Sequence, residues 1–303
     1  MRIRNDVEAS QLFRQTPQRL LDVGPGAVAY RKVGQGPDVL FVHGWPVTSA
    51  TWRRLLPHLT PHVTCHLIDL VGAGDSQFSR DTRIDLKLHV ESVRRVLDVL
   101  ALSSVAAVGH DSGGLIARHA LAGDARLRSM GLVNTEQPQG LTWRFRQFLW
   151  MAKLPGFASL LSWAAMKPTL RRNPYLLGDC FHDRARLDGE FEEFFLSPLR
   201  EDSERRWAAG VLGRTFDPAY VHALADVHAR IHVPVQLVWG EGDPFFPVAR
   251  AKAMCATFSN GSLEVISNAK LFVHEERPEA VAKALLPALL GKQRINGQRT
   301  HAG

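Results

Sequence analysis

Cysteine is scarce in this 303-residue sequence: there are three, at positions 65, 180 and 255. No two of them have metal-ligand spacing, and an odd number does not make a disulfide framework. A reducing, cytoplasmic setting is therefore expected, with no metal and no cofactor. Long hydrophobic runs are missing too. Residues 1–8 contain no apolar signal core, and the longest apolar stretch, Leu154 to Met166, is interrupted by Pro155, Gly156 and Ser162. Neither an export signal nor a membrane span is expected. Acidic residues (30) fall short of basic ones (37), leaving a formal charge of +7. The arginines come in scattered pairs such as Arg53-Arg54 and Arg205-Arg206, without a nucleic-acid module, so the excess reads as a solvated surface and no nucleic-acid partner is expected. The composition that remains, 45% hydrophobic and 22% charged, is that of a globular protein with a sizeable core. Nothing in it speaks to oligomeric state.

Along the chain, a polar N-terminal arm precedes two short strands, Leu20 to Val23 and Val28 to Lys32, around the turn Gly24-Pro25-Gly26. Apolar strands at 38–42, 63–69, 105–110 and 128–133 then alternate with helical spacings, the clearest being 85–102. That rhythm predicts an α/β fold with a mostly parallel central sheet and helices on both faces. From residue 137 to about 226 the strands stop. Trp, Phe and Arg accumulate, and Pro155, Pro168, Pro174, Pro198 and Pro218 cut the stretch into short helices. A helical insertion is expected here. Strands return at 233–239 and 262–266, and a last helix at 278–290. The expected division is a core of 1–136 and 227–290, an insertion of 137–226, and a flexible tail of 291–303. Within the insertion, aromatic residues between basic flanks at 143–172 are read first as a cover over a pocket. A peripheral membrane contact is the second reading.

The chain is organised around Val105-Ala106-Ala107-Val108-Gly109-His110-Asp111-Ser112-Gly113-Gly114. A buried strand ends in a glycine-bracketed acid and runs straight into a helix. Such a turn strains its central residue and brings the helix close to the sheet, which small residues permit. The residue lifted above the sheet is Asp111. A carboxylate, expected to be ionised at neutral pH, can displace a leaving group directly from an sp³ carbon of an epoxide or alkyl halide. A plain helix cap would not require the three glycines. Ser112 lies one position beyond the apex.

Taken with His43-Gly44-Trp45-Pro46, Gly72-x-Gly74-x-Ser76 and Trp239-Gly240-x-x-Asp243-x-x-x-Pro247, this elbow resembles the α/β-hydrolase superfamily. Within it the closest likeness is to the branch of epoxide hydrolases and haloalkane or haloacetate dehalogenases. The resemblance covers about residues 27–290 and places the insertion where that family has its cap. It implies that Asp111 is the nucleophile, that the backbone N–H groups of Trp45 and Ser112 form the oxyanion hole, and that Asp243 orients the base, with Glu136 as the alternative acid. The usual Gly-His pair is replaced by Lys270-Leu271, so the base is missing. His274, three residues on, is the candidate substitute, although an ordinary surface histidine is expected there; His43, His110 and Lys270 are other groups that could activate water. Of the three tyrosines, Tyr30, Tyr175 and Tyr220, the last two fall in the insertion and are candidates to polarise an epoxide oxygen. Dehalogenases of this branch hold the halide with a Trp directly after the nucleophile, where this chain has Ser112. The resemblance thus implies hydrolysis of a small apolar electrophile, an epoxide first, through an alkyl-enzyme ester. A dehalogenase-like hydrolase and a non-hydrolytic ligand-binding protein are the alternatives. The partner is a small-molecule substrate.

Overall fold

The computed structural model describes residues 1–291. The expected tail therefore lies outside the described residues except for Gly291. Eight strands form one sheet: β1 (Arg19–Asp22), β2 (Ala27–Gly34), β3 (Asp38–Val42), β4 (Thr64–Asp69), β5 (Val105–His110), β6 (Leu127–Val133), β7 (Val235–Gly240) and β8 (Gly261–Ile266). Their spatial order is β1-β2-β4-β3-β5-β6-β7-β8. The pairs β1/β2 and β2/β4 are antiparallel, and every other pair is parallel.

Alternation along the central strands separates two cores. Leu40 and Val42 of β3, with Val105 and Ala107 of β5, join one cluster; Val39 and Phe41, with Ala106 and Val108, join the other. Both faces are thus buried under helices, as near-continuous apolar strands require. Helix boundaries follow local chemistry. Asp85 accepts from Leu88 N–H at 2.8 Å and starts helix Leu86–Val99, and Thr48 accepts from Ala50 N–H to open the turn Ser49–Leu55. The polar N-terminal arm holds a helix that sequence reading did not identify. Asn5 caps a helix, Asp6–Arg14, whose far end is closed by Arg31 donating to the carbonyls of Leu12 and Gln15.

Between β6 and β7 the described chain is helical or irregular, with no strand. Helix Leu224–Ala229 crosses the residue at which the sequence put the end of the insertion. The segment is tied to the rest through ions. Buried Arg53 donates to Glu275 (2.5 Å) and to Glu190 of the inserted segment (3.1 Å), and Arg14 reaches Glu193 (2.7 Å).

The turn after β5 has the expected geometry. Asp111 sits at φ 51°, ψ −138°, between β5 and helix Ser112–Leu121. Such a backbone is costly for a non-glycine residue and persists only where its surroundings over-determine it. They do: a Cβ on Gly113 would stand 2.3 Å from the carbonyl oxygens of Val42 and His43, and one on Gly114 2.5 Å from Thr135 Oγ1. The helix therefore lies too close to β3 and β6 for Asp111 to relax.

Candidate active site

Parallel strands deliver their C-terminal loops to one edge, and the loops after β3, β5, β6 and β7 place Trp45, Asp111, Glu136 and Asp243 there. Asp111 lines a cavity of about 340 Å³ whose walls are largely apolar and rich in aromatic rings, including Phe145, Phe148, Phe191, Phe245 and Phe272. Trp45 N–H donates to Asp111 Oδ2 at 3.0 Å, and Ser112 N–H also holds the carboxyl. Gly44 makes this approach possible, since a Cβ there would stand 2.5 Å from Asp111 Oδ2. Ser112 also lines the cavity, its buried hydroxyl without a hydrogen-bond partner.

The electrostatics depart from expectation. Burial first, and then the charge of Glu136, push the Asp111 carboxyl well above the ordinary carboxylate range. Full ionisation at neutral pH, expected from an aspartate's normal acidity, is no longer assured. Glu136 is itself buried and raised by desolvation, with the Arg118 guanidinium opposing. Thr135 joins the two acids. Its Oγ1 accepts from Arg118 Nη2 (2.9 Å) and stands 2.8 Å from the Asp111 carbonyl oxygen and 2.9 Å from Glu136 Oε2. One hydroxyl has one proton to give. That proton is shared between the Asp111 carbonyl oxygen and Glu136 Oε2. Sequence reasoning missed Thr135 and Arg118; the tight glycines at 113–114 signalled a close neighbour without identifying it.

Asp243 is fully held from its own side. Its Oδ1 accepts from Phe245 N–H (2.8 Å) and Phe246 N–H (3.0 Å), and its Oδ2 from the Asn134 amide. Burial outweighs these donors and pushes its pKa up to about 7. Among the described residues, no histidine hydrogen-bonds to it.

Among the described residues, no histidine lines the cavity that holds Asp111; Leu271 does. The other candidate bases are committed elsewhere. His43 donates from Nδ1 to Gly44 O (2.9 Å) and accepts Leu70 N–H at Nε2 (2.9 Å). His110 donates from Nε2 to the carbonyl of Leu271 at 3.0 Å, and burial takes its pKa down to about 3. Lys270 pairs with Asp179. His274 is no surface residue: it is wholly buried, 2.7 Å from Thr51 Oγ1 and 4.4 Å from the His110 ring, because the turn Val273–Glu276 points inward beneath Trp52. The two insertion tyrosines part company. Tyr175 lines the cavity but is 81% exposed, and Tyr220 lies outside it against His119, with rings 4.8 Å apart. The described residues include no group of three His, Cys, Asp or Glu able to hold a metal, and no helix long and apolar enough to cross a membrane.

Residues 37–278 match the family model described as the alpha/beta hydrolase fold. The chain belongs to the alpha/beta hydrolase family. Relatives within it carry different activities in their names. A pimeloyl-[acyl-carrier protein] methyl ester esterase of Vibrio campbellii is 26% identical over 46% of this chain and 46% of its own. A haloalkane dehalogenase of Mesorhizobium japonicum is 37% identical over 36% of this chain and 35% of its own. The chain spans less than half the length of these relatives. Among solved structures, a putative ancestral haloalkane dehalogenase aligns with a TM-score of 0.75 at 23% identity, covering 90% of this chain and 99% of the other. An alpha/beta hydrolase fold protein of Burkholderia ambifaria aligns at 0.70 and 24%, covering 88% and 98%. These identities speak for the fold alone.

Proposed function

We propose that this alpha/beta hydrolase family member takes up an apolar epoxide and opens it with Asp111, forming a hydroxyalkyl ester whose hydrolysis is slow. The observation that carries the reading is the Asp111 carboxyl at the strained turn, one oxygen held by Trp45 N–H, facing an aromatic cavity with Leu271 and no base. In this reading residues 137–226 form the cap. Asp111 Oδ1 bonds to a ring carbon, the ring C–O bond breaks, and the ring oxygen ends with the proton that Asp111 gives up. Net charge in the apolar cavity is unchanged. An alkyl halide would instead leave a halide ion there, and the indole N–H of Trp45 is already donated to Ala209 O at 2.8 Å. Burying an ion with few free donors, the Ser112 hydroxyl among them, is costly. That favours the epoxide over the halide. Asp243, well held and lacking an imidazole, retains the place of an orienting acid.

The test is intact-protein mass spectrometry after incubation with an aryl epoxide such as styrene oxide. One adduct per chain is expected, mapping to Asp111 and absent in Asp111→Asn. Saturable binding of the same compound without any adduct would overturn covalent chemistry and support a ligand-binding protein, the reading that Leu271 alone favours.

A further inference from the structure

The inserted segment has a second apolar face, turned away from the cavity. In helix Trp143–Ala152, Phe145, Phe148 and Leu149 line the cavity, while Trp143 (64% exposed) and Trp150 (65%) stand on the outside. Helix Phe157–Ala165 repeats the arrangement: Phe157 and Leu161 line the cavity, and Leu160 and Trp163 face solvent. Both helices thus turn apolar side chains outward as well as inward, and exposed tryptophans grouped this way mark an interaction surface. The opening of the cavity lies in the same region, since Tyr175 both lines it and is largely exposed.

The charges around this face have one sign. Residues 137–178 contain Arg144, Arg146, Lys153, Lys167, Arg171 and Arg172 and no Asp or Glu. Arg144, Arg171 and Arg172 are drawn to Asp179, Asp188 and Glu192 from the following segment. Arg146 and Lys153 remain exposed and unpaired among the described residues, and the Lys167 ammonium lies 5.0 Å from the Trp163 ring. Tryptophan with flanking cations suits a bilayer interface, where the ring sits at headgroup level and the cation meets lipid phosphate. A second copy of this chain suits the face poorly, because two-fold pairing would set Arg146 and Lys153 of one copy against the same cations of the other.

We propose that the outer face of helices 143–152 and 157–165 docks on an anionic phospholipid bilayer, so that the cavity opening faces the lipid. An apolar ligand dissolved in the membrane then reaches the aromatic cavity without crossing water. The inference does not depend on chemistry at Asp111, so a failed adduct experiment leaves it standing.

The test is flotation of the full chain with vesicles of phosphatidylcholine alone or mixed equally with phosphatidylglycerol, with tryptophan emission read in parallel. Partition into the mixed vesicles is expected, with a blue shift, and weakening as salt rises. Each cation near such a surface is worth about fivefold in partition, so Arg146→Glu with Lys153→Glu lowers it about 25-fold or more. Trp150→Ser with Trp163→Ser lowers it as well and abolishes most of the blue shift. Both pairs are exposed, and unchanged circular dichroism confirms intact folding. The proposal falls if the chain ignores the mixed vesicles, if it binds the neutral ones equally well, if neither double variant matters, or if sedimentation velocity shows a dimer that Trp150→Ser dissolves.

Discussion

Leu271→His is the substitution that most directly probes the proposed chemistry. Leu271 lines the cavity with Asp111, and its carbonyl, not its side chain, receives the His110 proton. Exchanging the side chain therefore leaves that contact in place. The loop carrying it is fixed against the end of β7: Gly242 N–H donates to Ala269 O at 3.0 Å, and a Cβ on Gly240 would stand 2.1 Å from Lys270 O. An imidazole at 271 also finds a possible orienting group, because Asp243 uses three of its roughly four acceptor positions on Asn134, Phe245 and Phe246. A positioned general base is worth about 10²–10⁴ in rate. The cost is the loss of a buried leucine, about 1–3 kcal/mol, a few degrees in a chain of this size. In wild type, consumption of styrene oxide should stop near one equivalent per chain as adduct accumulates, with almost no diol released. In the variant the adduct should break down about 10²–10⁴ times faster and diol formation should continue. An adduct that persists equally in both proteins, with the variant folded, would refute the assignment of position 271 as the missing base.

Glu136→Gln removes the charge that, after burial, most raises the Asp111 carboxyl. Because the ring oxygen takes the proton that Asp111 gives up, adduct formation should fall as pH rises through the Asp111 titration, and the variant should move that falling limb to lower pH; an unmoved profile would mean the two acids do not communicate. Gly44→Ala puts a methyl 2.5 Å from Asp111 Oδ2 and should slow adduct formation about 100-fold with little change in circular dichroism, since small misplacement of a reacting group costs that much. Arg53→Met strands Glu275, a buried carboxylate, and should cost about 3 kcal/mol in urea unfolding. A loss under 1 kcal/mol would show that Arg54, 3.4 Å from the same carboxylate, suffices.

The fold was legible because its signals are local. Apolar runs at 38–42 and 105–110 are buried on both faces, and Thr48 and Asp85 start helical turns where their side chains can cap. Helix Asp6–Arg14 was not legible: it has few apolar positions, and its C-terminal end is closed by Arg31, 16 residues beyond Gln15. At the site, the glycines about Asp111 announced a tight turn, and the structure shows the close approaches they permit. What sequence could not supply was direction. His274 lies three residues from the base position, yet it points beneath Trp52 into the core, and Tyr220 lies in the insertion yet faces His119. Nor does an isolated sequence reveal ionisation, because the aspartate's acidity depends on Glu136, 25 positions away, and on burial by residues from the whole insertion.

That dependence bears on why an epoxide fits the cavity. A histidine at 271 would do more than activate water: once protonated it would be the nearby cation that keeps a buried Asp111 ionised. With leucine there, Asp111 and Glu136 are two buried acids, both raised by burial and Asp111 further by Glu136, and Arg118 is the cation acting on Glu136. Losing the base thus weakens the first step as well as the second. An electrophile that needs a fully charged nucleophile and expels an anion is poorly served by such a site. A strained ring is better matched, because relief of strain drives the bond breaking and the oxygen it frees takes back the proton that Asp111 released. On this argument the leucine does not merely stall a dehalogenase-like reaction at its ester. It narrows the reactive substrates to those whose opening leaves no charge behind, so an alkyl bromide of the same size as styrene oxide should label Asp111 at least tenfold more slowly, and equal labelling would remove the case for the epoxide.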